Sequence, residues 1–209
     1  MTKATIIWAI GGSDSGSGAG VQADLKAAQN MGVHCCQIIT AITAQNSHQV
    51  QSVNAVDVEV LERQWQALED DMPPLVIKVG LMANLEQIQW LAKRIEQMKR
   101  SLWLDVRPTV VLDPVLQASC GDDLTDMATH EALRELLCPW VDVITANWDE
   151  AVILAGAGPM ASEASLIEAI HRLGVACVVL KGGHRPASQE SALNGYAQDV
   201  LSSGDAVYR

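Results

Sequence analysis

The sequence has few basic residues and no long apolar run. It contains 14 Lys and Arg against 25 Asp and Glu, which gives a formal net charge of -11. A chain of this charge offers no basic surface to nucleic acid or to an anionic membrane, so we expect neither as a partner. The apolar run near the N-terminus covers only residues 5–10. It is too short for a signal peptide or a membrane span.

Cysteine is sparse and shows no pairing pattern. The five cysteines are Cys35, Cys36, Cys120, Cys138 and Cys177, an odd number without a C-x-x-C spacing. This usage argues against a disulfide framework and against a zinc site, and it predicts a reducing, cytoplasmic compartment. With 209 residues, 49% of them hydrophobic and 19% charged, the sequence predicts a single globular domain over residues 1–209.

The apolar pattern predicts an α/β fold. Six short apolar runs without alternation predict strands buried on both faces, over residues 5–10, 35–42, 75–80, 109–114, 141–147 and 177–183. Apolar residues at spacings of three and four predict helices between them, over residues 20–31, 57–72, 84–95, 128–138, 148–155 and 162–173. Such alternation is typical of a mainly parallel central sheet with helices on both faces.

Two segments depart from this alternation. Residues 43–56 have no helical period, so we expect a pair of small strands or a β flap beside the sheet. The tail, residues 192–209, contains the Asn-Gly turn signal "LNGY" between short apolar stretches. It predicts an antiparallel hairpin at an edge of the sheet.

Polar or glycine-rich residues follow all six predicted central strands. These exits read G-G-S-D, T-A-Q-N, K-V-G, D-P-V, A-N-W-D-E and K-G-G-H. The carboxyl ends of parallel strands share one edge of the sheet, where ligands bind. Any single polar exit is ordinary for a loop, but six together predict one active-site cleft.

The glycine-rich stretch "GGSDSGSGAGVQADLK", residues 11–26, resembles a phosphate-binding loop but fits neither common nucleotide motif. A P-loop needs Gly-Lys before Ser or Thr, and Lys26 lies well inside the predicted helix. A dinucleotide fingerprint needs a third glycine where Val21 stands. Two interpretations stay open: a tight turn whose first-turn acid favours the helix dipole, or a loop along which a small ligand lies, with Asp24 accepting its hydrogen bonds.

Three further exits carry charged or amide groups. Asn147 and Glu150 lie one turn apart across a strand-to-helix junction, and Asp113 ends a strand before a proline. Their oxygens suit a hydrated Mg²⁺, although Asn147 is equally well explained as a helix N-cap. Lys181 ends a predicted buried strand before Gly-Gly, where it suits a nucleotide phosphate.

With these exits in order, the sequence resembles the ribokinase superfamily, and within it the hydroxymethylpyrimidine/phosphomethylpyrimidine kinases of thiamine biosynthesis. The residues that carry the resemblance are "GGSDSGSGAGVQADLK", "ITAITAQNS", "KVGLMAN", "VLDPVLQASCGD", "ITANWDEA" and "VVLKGGH". The resemblance covers nearly the whole chain. It implies a ribokinase-like fold, a homodimer, and transfer of the γ-phosphoryl group of ATP to the hydroxymethyl group of a pyrimidine, with Mg²⁺ as the second cofactor.

The resemblance also implies a role for each candidate residue. Gly12, Asp24, Gln45 and Leu81 would line the pyrimidine site, where the Gln45 amide can both donate and accept hydrogen bonds. Asn147, Lys181 and Gly183 would bind the nucleotide. Asp113 and Glu150 would serve Mg²⁺.

Three features depart from the family pattern. Family members carry a Gly-Thr-Gly-Cys or Gly-Ala-Gly-Asp segment that supplies the catalytic base, and the sequence ends at "AVYR" without one. We therefore expect an incomplete sequence with no catalytic base among these residues. Leu81 replaces the usual Met, and Ser119 replaces a Lys that contacts the monophosphate, which weakens the expectation of a second phosphorylation. The alternatives are a pyridoxine or pyridoxal kinase and a pyrimidine-binding protein without turnover.

Overall fold

Nine strands in one sheet form the centre of the computed structural model, which describes residues 5–101, 107–116, 125–158, 160–184, 197–204 and 206–209. The strands are β1 (Ile6–Ser13), β2 (His34–Gln45), β3 (Val50–Ala55), β4 (Val76–Val79), β5 (Thr109–Leu112), β6 (Val143–Ala146), β7 (Cys177–Leu180), β8 (Val200–Ser203) and β9 (Ala206–Tyr208). The α-helices are α1 (Gly20–Asn30), α2 (Val58–Glu69), α3 (Leu85–Arg100), α4 (Met127–Ala132), α5 (Trp148–Ala155) and α6 (Glu163–His171).

The sheet is mainly parallel, as the sequence predicts. Its strand order is β3-β2-β1-β4-β5-β6-β7-β8-β9, and the six central strands β2, β1, β4, β5, β6 and β7 run parallel. The flap strand β3 pairs antiparallel with β2, and β8 and β9 form an antiparallel hairpin at the other end. The chain moves outward from β1 to β2 and then returns to the other side of β1 at β4. This reversal makes the gap between β1 and β4 a topological switch point, where ligands bind in α/β sheets.

Helices cover both faces of the sheet, but the side chains on the two faces are not equally buried. The crossover through α1 leads from β1 to β2, and the crossover through α3 leads from β4 to β5 in the opposite direction, so right-handed connections place these helices on opposite faces. Alternate residues such as Ile77 and Ile144 are fully buried, whereas Lys78 and Thr145, on the other face, are only partly buried. The prediction of strands buried on both faces is confirmed for β1, where Trp8, Ala9 and Ile10 are fully buried, but one face of β4 and of β6 is only partly buried.

Tryptophans fill much of the core in a sequence that has no phenylalanine. Trp8 of β1 meets Trp65 of α2 edge to face at 5.0 Å between ring centroids, and Trp65 meets Trp90 of α3 at 5.9 Å. Edge-to-face pairs of this kind stabilise by about 0.5–1.5 kcal/mol beyond the area they bury. They fix α2 and α3 against the buried face of the sheet.

Helix starts follow the sequence signals, but not every helix ends where the sequence predicts: α3, predicted over 84–95, continues to Arg100. Asn84 caps α3 by accepting a hydrogen bond from the Gln87 amide, and α2 ends before Pro73 and Pro74. The helix predicted over 128–138 is α-helical only to Ala132; a π-helical turn and a 3₁₀ turn follow, because Pro139 lacks the amide that a regular helix needs.

The edge hairpin turns at Gly204, which has a positive φ of 57°, while the "LNGY" signal lies outside the described residues. No helix in the described ranges is both long and apolar enough to span a membrane.

Candidate active site

One cavity of about 700 Å³ opens at the carboxyl edge of the sheet, at the switch point between β1 and β4. All nine residues that the sequence indicates as site residues line it: Gly12, Asp24, Gln45, Leu81, Asp113, Asn147, Glu150, Lys181 and Gly183. They come from the exits of the six central strands and from α1. The prediction that the exits converge on one cleft is confirmed, whereas the role of each residue remains a prediction.

The glycine-rich loop between β1 and α1 is occupied by its own side chain. Asp14 is buried, and its carboxylate accepts hydrogen bonds from the backbone amides of Gly16, Gly18 and Ala19 at 2.8–2.9 Å. Amides that converge in this way form an anion-binding nest, and here the anion is Asp14. These three amides are therefore not available to a phosphate group.

Gly20 begins α1 in a conformation that only glycine adopts easily. Its φ is +61°, and a Cβ atom there would lie 2.3 Å from the carbonyl oxygen of Gly12. Behind it, the Gln22 side chain accepts from the Asp14 amide and donates to the Ser13 hydroxyl. The loop is thus fixed at both ends, and its residues Ser13, Asp14, Ala19 and Gly20 form part of the cavity wall.

Gln45 stands at the end of β2, where Ser15 holds its backbone. The Ser15 hydroxyl donates to the Gln45 carbonyl at 2.6 Å and accepts from the Gln45 amide at 2.9 Å. Gln45 lines the cavity, and its side-chain amide forms no hydrogen bond with any residue that the structure describes. It is available to a ligand.

Asp24 of α1 is paired with Lys78 of β4. The Lys78 ammonium lies 3.1 Å from each carboxylate oxygen of Asp24, and both side chains are about one quarter exposed. Leu81 and Gly12 line the same cavity, and a Cβ atom on Gly12 would lie 3.0 Å from the Leu81 side chain. This half of the cavity therefore combines an apolar wall with a carboxylate and an amide.

Lys181 organises the other half of the cavity. Its Nζ donates to Oδ1 of Asp113 at 2.8 Å and lies 3.7 Å from Oε2 of Glu150. Burial alone would lower the pKa of Lys181, but the hydrogen bond to Asp113 and the two carboxylate charges outweigh it, so the pKa is raised. Lys181 is therefore positively charged at neutral pH.

Asn147 and Glu150 form a capping box at the start of α5. The Asn147 side chain accepts from the Glu150 amide at 2.9 Å, and the Glu150 carboxylate accepts from the Asn147 amide at 2.7 Å. Burial raises the pKa of Glu150, although the Asn147 amide and Lys181 act against this. The N-cap interpretation of Asn147 is confirmed, and the cap also fixes both side chains at the cavity.

The described residues offer Mg²⁺ only a partial site. No group of three or more His, Cys, Asp or Glu side chains in the described ranges could hold a metal ion. The carboxylates of Asp113 and Glu150 line the cavity beside the ammonium of Lys181. Mg²⁺ typically binds through one or two carboxylates together with phosphate oxygens and water, and this donor set fits that pattern.

Sequence reasoning assigned no role to Asp14, Ser15 or Lys78. A lysine inside the apolar run "LVIKVG" is the one signal that could have identified Lys78. Asp14 and Ser15 act through backbone groups, which the spacing of residue types does not reveal. Ser119, which bears on the second phosphorylation, lies outside the described residues.

Comparisons with known proteins agree with the geometry. The sequence model of the family described as phosphomethylpyrimidine kinase matches residues 14–209. A hydroxymethylpyrimidine/phosphomethylpyrimidine kinase from Rhizobium meliloti is 36% identical over 207 residues, which cover 98% of this chain and 72% of the relative. The thiamine biosynthesis bifunctional protein ThiED from Geobacter sulfurreducens is 36% identical over 203 residues, 96% of this chain but only 38% of that relative.

Two solved structures show the same fold. The phosphomethylpyrimidine kinase of Clostridium difficile superposes with a TM-score of 0.81 at 31% identity, covering 99% of this chain and 83% of that one. A Bacillus subtilis pyridoxal kinase in complex with ADP superposes with a TM-score of 0.78 at 31% identity, covering 99% and 73%. Both likenesses extend over the sheet edge that forms the cavity.

Proposed function

The chain belongs to the phosphomethylpyrimidine kinase family, and from this premise we propose that its cavity binds 4-amino-5-hydroxymethyl-2-methylpyrimidine beside ATP and phosphorylates the hydroxymethyl group. The observation that carries the proposal is the division of one cavity into two chemically different halves. One half has an apolar wall, a carboxylate and a free amide. The other has a lysine and two carboxylates beside a helix start.

The first half suits a flat heteroaromatic ring. Gly12 has no side chain to obstruct the ring, and Leu81 provides an apolar surface beside it. The Asp24 carboxylate can accept from an exocyclic amine, while the Gln45 amide can donate to one ring nitrogen and accept from a neighbouring group. A hydroxymethyl substituent would then point toward the second half of the cavity.

The second half suits the phosphates of ATP. Lys181 would bind a phosphate oxygen, and the Asn147 side chain and the backbone at Gly183 would provide donors at the same end. Mg²⁺, held by Asp113 and Glu150 and by the phosphates, would neutralise the charge on the transferred group. Because both carboxylates already contact Lys181, we expect Mg²⁺ to bind together with the nucleotide rather than alone. None of the nine residues is assigned the role of catalytic base.

We also propose a cytoplasmic homodimer. The strand β3 is the last in the sheet order, so its outer edge has no partner strand in the described sheet. Ile42, on the neighbouring strand, is 59% exposed. An unpaired strand edge beside a strand with an exposed apolar side chain favours association with a second copy. Light scattering after size-exclusion chromatography tests this, and we expect it to give the mass of two chains.

The four cysteines in the described ranges are free thiols, which is consistent with a reducing compartment.

A pyridoxal kinase is the second candidate, favoured by the likeness to the Bacillus subtilis enzyme. The curated relatives favour the pyrimidine, because those at 35–36% identity are named for pyrimidine phosphorylation or thiamine biosynthesis.

Phosphorylation of the two alcohols by the full-length protein separates the candidates. With saturating ATP and Mg²⁺, we expect kcat/KM for the pyrimidine alcohol to exceed that for pyridoxal by tenfold or more. A preference for pyridoxal would identify the second candidate as correct. Binding of the pyrimidine with no transfer from ATP would indicate a binding protein. The same assay with the monophosphate as substrate tests the second phosphorylation, which we expect to be slower.

A further inference from the structure

Lys78 stands on β4 at the boundary between the two halves of the cavity. Its Nζ is 3.1 Å from both carboxylate oxygens of Asp24 and 3.9 Å from Oδ2 of Asp113. Lys78 is therefore the one described side chain that contacts both a carboxylate of the ring half and a carboxylate of the phosphate half. Only 26% of its side chain is exposed.

The backbone around Lys78 is shaped to its ammonium group. A Cβ atom on Gly80 would lie 3.1 Å from Nζ, so the glycine leaves room for the ammonium at this position. The register neighbours of Lys78 on β1 and β5 are Ala9 and Val111, which are apolar and add no further charge. The ammonium thus has a defined position, set by Gly80 on one side and Asp24 on the other.

A stable sheet does not require this arrangement. A partly buried ion pair costs desolvation energy, and an apolar side chain of similar volume is often as stable or more stable. The fully buried face of β4 carries such residues, Ile77 and Val79. A lysine that joins two carboxylates in a ligand cavity is better explained by what those carboxylates do.

We propose that Lys78 is a positioning residue for the pyrimidine. It fixes the Asp24 carboxylate through both oxygens, so that the remaining lone pairs of that carboxylate face the ring donors in one orientation. This inference rests on the proposed function, in which Asp24 binds the ring. Lys78 acts through Asp24, and its removal therefore weakens pyrimidine binding only while Asp24 is a carboxylate.

A double-mutant cycle in ligand binding tests this dependence. Isothermal titration calorimetry measures the Kd of 4-amino-5-hydroxymethyl-2-methylpyrimidine for the parent protein and for Lys78→Met, Asp24→Asn and the double variant. We expect Lys78→Met to raise Kd about tenfold in the parent, the size of one charge-assisted hydrogen bond, and less than twofold in the Asp24→Asn background. The Kd of AMP-PCP with Mg²⁺ is expected to change less than that of the pyrimidine in Lys78→Met, because Lys78 lies 3.9 Å from Asp113 but 3.1 Å from Asp24.

Lys26→Met is the matched control, because Lys26 contacts the Ser17 carbonyl at the surface and does not line the cavity. It should leave both Kd values unchanged. An equal rise in pyrimidine Kd in the two backgrounds, or no rise at all, would overturn the proposal. If Lys78→Met does not fold, Lys78→Gln replaces it, since a polar side chain tolerates the same surroundings.

A ligand-free measurement separates failure of this inference from failure of the proposed function. Urea midpoints of the same four proteins should show Lys78→Met shifting the midpoint more in the parent than in the Asp24→Asn background. Equal shifts would refute the pairing itself. If the parent protein does not bind the pyrimidine, the proposed function is wrong, and the role of Lys78 toward that ligand is wrong with it.

Discussion

The carboxylate of Asp14 holds the glycine-rich loop together, and Asp14→Asn tests this. In the native loop one carboxylate oxygen accepts from the Gly16 amide, and the other accepts from the amides of Gly18 and Ala19. Asparagine has only one side-chain oxygen. Whichever way its amide is oriented, at least one backbone N–H loses its acceptor and faces an NH₂ group instead.

The size of the effect follows from this count. A hydrogen bond to a charged group contributes about 1.5–3 kcal/mol, and a buried donor without an acceptor costs about 1–3 kcal/mol. Partial rotation of the loop toward water recovers some of this. We therefore expect Asp14→Asn to lower the free energy of unfolding by about 2–4 kcal/mol, a large share of the ~5–15 kcal/mol typical of a native protein.

Urea denaturation at pH 7 measures this change. With an m-value of about 2 kcal/mol/M, the midpoint should fall by about 1–2 M. Asp57→Asn is the matched control: Asp57 is exposed and precedes α2 without a side-chain capping bond, so the same substitution there should change stability by less than about 0.5 kcal/mol. An Asp14→Asn midpoint equal to that of the control would refute the claim that the Asp14 carboxylate holds the glycine-rich loop together.

Three further outcomes follow from the same geometry. Gly20→Ala should lower the free energy of unfolding, measured in urea, by more than about 2 kcal/mol, because its Cβ would collide with the Gly12 carbonyl oxygen. An unchanged free energy of unfolding would contradict the backbone conformation described at the start of α1. Burial raises the pKa of Cys138 to about 12, so native Cys138 should resist an alkylating reagent at pH 8 and react only after denaturation. Ser15→Ala should raise the pyrimidine Kd about 2–10-fold through Gln45, with little change in the urea midpoint.

Much of the fold can be predicted from the sequence, because local pattern and global topology agree. Each of the six apolar runs overlaps one of the central strands, although β1 and β2 extend beyond their runs. The helix predicted over 148–155 begins after Asn147, the expected N-cap, and ends before Gly156. Gly156 adopts a positive φ of 60°, which is the reason a glycine ends the helix there. The shared edge of parallel strands then brings residues that are far apart in sequence into one cavity.

The contacts within the site are less predictable, since they depend on geometry that residue spacing does not contain. The glycine-rich loop has the composition of a phosphate-binding loop, but Asp14 occupies its amides, and the sequence alone does not distinguish an internal anion from an external one. The pairing of Asp24 with Lys78 joins residues 54 positions apart. Asn147 shows a third case, because a cap and a ligand-facing residue have the same sequence signature.

The central claim is that the half of the cavity formed by the glycine-rich loop and Gln45 binds the ring, and that the strand exits near Lys181 bind the phosphates. Calorimetric titration of the parent protein, Gln45→Ala and Lys181→Met with the pyrimidine alcohol and with Mg²⁺ and AMP-PCP tests it most directly. We expect Gln45→Ala to raise the Kd of the pyrimidine about 5–150-fold, equivalent to about 1–3 kcal/mol. The Kd of the nucleotide should change by less than about twofold in the same variant. Lys181→Met should do the reverse. A Gln45→Ala protein that loses nucleotide binding and keeps the pyrimidine would contradict the account.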